Sequence, residues 1–75
     1  MSIDIEYQVA CIEDGVWVLT RDGQIVARGD DPFEIVGTAT QMAEQDAKLL
    51  RKVTKVFLSH STDKRRLIKA FAYDT

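Results

Sequence analysis

The chain has 75 residues, 45% of them hydrophobic, with 10 basic and 12 acidic residues for a net charge of −2, one cysteine and one histidine. A chain this short forms one domain, here 1–75, and buries only roughly 60% of the surface its unfolded form exposes. One cysteine and one histidine exclude a disulfide framework and a multi-ligand metal site, so packing or self-association must supply the stability. The low net charge hides an asymmetry. Residues 1–47 carry ten acids against two bases, a balance of −8, whereas residues 48–75 carry eight bases against two acids, a balance of +6.

In chain order, residues 1–6 form a lead-in or a strand extension, and the β-favouring run Tyr7–Ile12 predicts a first strand. Glu13-Asp14-Gly15 supplies a turn in which glycine is free to take positive φ. Val16–Arg21 and Gln24–Arg28 read as strands two and three, joined by Asp22-Gly23, the dipeptide of a type I′ hairpin. A two-residue loop places Arg21 opposite Gln24, Thr20 opposite Ile25, Leu19 opposite Val26, Val18 opposite Ala27 and Trp17 opposite Arg28. Both faces of this hairpin then carry apolar side chains, and one helix can cover only one of them.

That helix is predicted over Asp31–Lys52. Asp31 can cap the first turn, Pro32 sits where a missing N–H costs nothing, and Glu34 completes a capping box. At about 100° per residue, Val36, Ala39, Ala43, Ala47 and Leu50 form one stripe, with Ile35, Met42, Leu49 and Val53 beside it. The alanines let the helix lie close on a sheet. Ile35, Met42 and Leu49, together with Trp17 on the hairpin, are the expected self-association surface. Asp46 falls between the stripes, out of pattern. It either reaches water or Arg51/Lys55 at the boundary, or serves as a buried or interface partner for a cation.

Val53–Ser59 predicts a fourth strand and His60–Lys64 a turn. Arg65–Tyr73 alternates as a fifth strand, although Leu67, Ile68 and Phe71 also suit a short helix. The elements together predict an α+β fold in which an antiparallel sheet, in β-β-β-α-β-β order, packs on one long helix.

Chemistry-bearing residues are sparse. Ser59-His60-Ser61 pairs hydroxyls with the one histidine, but neighbours on a strand point to opposite faces, so a solvated turn is expected. Cys11 has no adjacent base to lower its pKa and reads as a packed thiol. Asp30, Asp31 and Glu34 look like a metal cluster, but two of them are accounted for by capping and no phosphate-binding glycine loop accompanies them, so metal binding is not expected. No catalytic residue, metal or cofactor is expected. The candidate contact surface is basic: Arg51, Lys52, Lys55, Lys64, Arg65, Arg66 and Lys69, facing an acidic protein or a phosphate backbone. No apolar stretch approaches the roughly 20 residues of a membrane span and no targeting segment is visible, so a cytoplasmic protein without membrane contact is expected.

The run Gly15–Ile35, GVWVLTRDGQIVARGDDPFEI, resembles very small prokaryotic domains of unknown function with a G-x-W-V, D-G hairpin, A-x-G pattern followed by an acid-capped helix. The strand–strand–strand–helix order, with Tyr7-Gln8-Val9 and Gly29-Asp30-Asp31, is also similar to HicB-type antitoxins. That second resemblance implies a dimeric, partial RNase H-like or double-stranded-RNA-binding-like domain that occludes a toxin nuclease. The function expected is thus a non-catalytic protein-interaction module, antitoxin-like or a phage-type inhibitor, acting as a homodimer on a protein partner. The alternative is an RNA- or DNA-binding protein that uses the basic C-terminal patch.

Overall fold

The computed structural model describes residues 4–61 and 64–72, including the side chains of all of these except 60, 61 and 64. The order is β1 (Ile5–Glu13), β2 (Val16–Arg21), β3 (Gln24–Gly29), α1 (Pro32–Leu50), β4 (Thr54–Ser61) and β5 (Lys64–Phe71). The fold is therefore the expected α+β arrangement of five strands and one helix. Residues 65–71 are strand rather than helix, while the predicted end of that strand at Tyr73 and the centre of the turn at 62–63 lie outside the described residues.

The strands run β3-β2-β1-β4-β5 across one sheet, and β1 pairs with β4 in parallel. The sheet is mixed, which corrects the all-antiparallel expectation. The cause is the direction of the helix: two hairpin turns leave β3 running the same way as β1, α1 carries the chain back, and β4 must start again in that shared direction. β1 becomes a central strand, which explains why it begins at Ile5 rather than Tyr7. The Ile5 amide donates to the Val53 carbonyl at 2.9 Å.

Asp22 and Gly23 both take positive φ, 50° and 91°, as a type I′ turn requires. The Asp22 turn is tied to β1, since its amide donates to the Glu6 carbonyl and its carboxylate accepts from the Glu6 amide. Beyond the first two pairs the hairpin register differs from expectation. A bulge at Val26 places Leu19 opposite Ala27, Val18 opposite Arg28 and Trp17 opposite Gly29. A second bulge, at Ile68, shifts β5 against β4 so that Leu67 faces Phe57 while Lys69 faces Val56.

The helix is capped as its sequence predicts. The Asp31 carboxylate accepts from the Phe33 amide at 3.0 Å, and the helix ends at Leu50, two residues before the expected Lys52, with Arg51 left-handed at φ 55° as its C-cap. Its buried line is Ile35, Ala39, Ala43 and Ala47. Ile35, Ala39 and Ala43 pack on Ile5, Tyr7, Val9, Leu19 and Val56, with Trp17, Ala27, Met42, Leu58 and Phe71 at the margin. The Thr54 hydroxyl, fully buried, donates to the Ala43 carbonyl at 2.8 Å and pins β4 under the helix.

Candidate functional site

The helix covers one side of the sheet, and among the described residues no element lies over the other. On β1 the side chains of Ile5, Tyr7 and Val9 point at α1, so those of Glu6, Gln8 and Ala10 point away. Register extends this second row across the sheet: Ala10 stands opposite Val18, Gln8 opposite Thr20 and Phe57, Thr20 opposite Ile25, and Phe57 opposite Leu67. The bare face thus carries Ile25, Val18, Phe57 and Leu67 across four strands. Val18 is only 3% exposed even though no helix lies over it, whereas Ile25 is 64% and Leu67 50% exposed.

Charged groups cross this face in pairs. The Lys55 ammonium lies 3.1 Å from an Asp4 carboxylate, and the Arg65 guanidinium lies 2.9 Å from that of Glu6. Arg65 also stacks 4.0 Å above the Phe57 ring. The two ends of the sequence with opposite charge balance therefore meet on β1, β4 and β5, where N-terminal acids neutralise C-terminal bases. Each pair is half-exposed and contributes about 0–1 kcal/mol, so its main effect is on local charge.

The seven predicted contact residues do not form one patch. Lys55 and Arg65 belong to the bare face. Arg66, opposite Leu58, and Lys69, opposite Val56, lie on the helix side of β5, and Lys69 stands 5.6 Å from the Phe71 ring. Arg51 caps the helix and Lys52 follows it. Lys64 opens β5, but its side chain lies outside the described residues.

The predicted self-association residues also separate. Ile35 belongs to the core, a correction to its assignment to a free stripe: Gly29 has no side chain, and a β-carbon there would meet the Ile35 Cδ1 atom at 3.3 Å. Met42 and Trp17 are half-buried against the core, and Leu49 alone of the four is exposed, at 77%. Trp17 instead lines an apolar hollow of about 160 Å³ with Pro32, Phe33, Val36 and Leu58, beside the helix start.

Asp46, out of pattern in the sequence, pairs with the cation Arg21 of β2. The Arg21 Nε atom donates to Asp46 at 2.9 Å and to the Tyr7 hydroxyl at 3.2 Å, and the Tyr7 hydroxyl in turn donates to Asp46. Burial, followed by the adjacent Asp46 carboxylate, pushes the Tyr7 phenol up to about 12, with Arg21 opposing. The Asp46 and Tyr7 hydrogen bonds hold the Arg21 pKa above its usual value. The cluster seals the helix onto β1 and β2. The mismatch of Asp46 marked one member, but neither Tyr7 nor Arg21 was marked, because their meeting depends on β1–β2 register.

Cys11 is exposed, and its thiol donates to the Glu13 carbonyl at 3.0 Å, so the expected packed thiol is corrected. A bulge lies between Cys11 and Glu13 at this end of β1. The His60 side chain lies outside the described residues. Among the described residues, no three His, Cys, Asp or Glu side chains converge to hold a metal, and no helix is long and apolar enough to cross a membrane. No family model matches the chain, and neither does any curated protein or solved structure.

Proposed function

We propose that this chain is a non-catalytic, cytoplasmic interaction module that docks another protein on the bare face of its sheet. The observation that carries the reading is the exposed apolar pair Ile25 and Leu67 at the two margins of this face, with Phe57 beside Leu67, Gln8 and Thr20 between them, and no described element over them. Exposed apolar side chains set among polar and charged ones are a usual feature of a protein-docking surface. Charge favours a protein over a nucleic acid here. Phosphate contacts need available cations, but Lys55 and Arg65 on this face already pair with Asp4 and Glu6, which leaves Arg28, opposite Val18 on β3, as the one base of the face outside those two pairs among the described residues.

The test is affinity capture from lysate, with and without nuclease treatment, comparing the wild type with Ile25→Glu and Leu67→Glu. Both positions are exposed, so each variant should keep the wild-type melting temperature. The expected result is one dominant protein held by the wild type and lost from both variants. Capture of nucleic acid, of this chain alone, or of the same protein by all three forms would overturn the reading.

A further inference from the structure

β5 is the last strand of the sheet, eight residues long, and no described strand pairs with the amides and carbonyls of its outer edge. Such an edge is a template for an added strand, and its side chains select what pairs with it. The Ile68 bulge determines that selection. It brings Arg66 and Lys69 onto the helix side of the strand, although they are three residues apart, and leaves Arg65 and Leu67 on the bare face. Arg66, Leu67 and Lys69 are all exposed. A second copy of β5 laid against this edge would set cation against cation, which is unfavourable for directly opposed residues. An acid-bearing strand would meet complementary charge instead. The opposite edge, β3, is shorter at six residues and has Arg28 as its one base.

We propose that the outer edge of β5 accepts an extended segment of a partner protein as a sixth strand, with acids facing Arg66 and Lys69 and apolar residues facing Leu67. This inference rests on the interaction-module reading, and it names a second contact, adjoining the bare face through Leu67.

The experiment is fluorescence anisotropy of the full chain with labelled peptides of alternating Glu and Val, alternating Lys and Val, and alternating Glu and Pro. The last keeps the acids but removes half of the N–H donors. The Glu–Val peptide should bind and slow amide exchange in β5, and the Lys–Val peptide should not bind. The Glu–Pro peptide, and the Glu–Val peptide on an Arg66→Glu/Lys69→Glu variant, should each bind about tenfold more weakly. Equal binding of the Glu–Val and Glu–Pro peptides would reduce the contact to loose charge attraction and overturn the proposal. So would unchanged Glu–Val binding to the variant, or no Glu–Val binding at all. Any of these results obtained while the captured protein is still lost on Ile25→Glu would remove the edge site and leave the bare-face reading intact.

Discussion

Replacing Tyr7 with phenylalanine removes one oxygen from the centre of the Tyr7–Arg21–Asp46 cluster. Tyr7 has no exposed surface, and Phe keeps its ring in the core, so the change isolates the hydroxyl. That hydroxyl donates to a carboxylate and accepts from a guanidinium. A hydrogen bond to a charged group contributes about 1.5–3 kcal/mol; because Arg21 and Asp46 are partly exposed and keep their own pairing, the lower end applies, about 1–2 kcal/mol. For a domain of this length the melting temperature should fall by about 5–15 °C.

The same residue fixes the alkaline response. The folded phenol titrates near 12 against an ordinary value of 10.0, so the folded state holds a proton that the unfolded chain releases. Its contribution is therefore complete below pH 10 and lost as pH rises from 10 to 12, a loss on the order of 2 kcal/mol. Urea unfolding followed by circular dichroism at a series of alkaline pH values should show this decline in the wild type and a shallower one in Tyr7→Phe. Tyrosinate absorbance in a Tyr73→Phe background would report the Tyr7 titration directly. A variant with wild-type stability and the same alkaline profile would refute the role given to the cluster.

Ala43→Glu should abolish cooperative unfolding, because Ala43 is fully buried between helix and sheet, and an unpaired charge there costs at least about 3–5 kcal/mol against a total stability of about 4–11 kcal/mol. A soluble variant with an unchanged melting curve would mean that another face of the helix meets the sheet. Asp31→Ala removes the acceptor of the Phe33 amide and should lower stability by about 1 kcal/mol, read as a lower urea midpoint with an unchanged slope. No shift in midpoint would show that the cap contributes nothing.

What the sequence made legible was local. The Asp22-Gly23 turn and the Asp31-Pro32 helix start are specified by residues within a few positions of one another, and both stand where their chemistry puts them. The Ala39, Ala43 and Ala47 line likewise follows from helical spacing, and it is buried. Ile35 was assigned to the neighbouring stripe because its place in the core depends on Gly29, a residue of another element. The parallel β1–β4 pairing joins strands about 50 positions apart with no turn to announce it. The bulges at Val26 and Ile68 matter most for the surface. Each shifts side chains from one face to the other without a glycine or proline to mark it, so the placing of Arg28 opposite Val18 and of Lys69 on the face opposite to Leu67 could not be read from alternation alone.

The most direct test of the docking account is hydroxyl-radical footprinting of the chain in complex with the protein it captures, against the chain alone. The account predicts that Ile25, Phe57 and Leu67 lose reactivity in the complex while Leu49, on the exposed side of the helix, keeps it. Protection of Leu49 with Ile25 and Leu67 unchanged would place the partner on the helix and contradict the account.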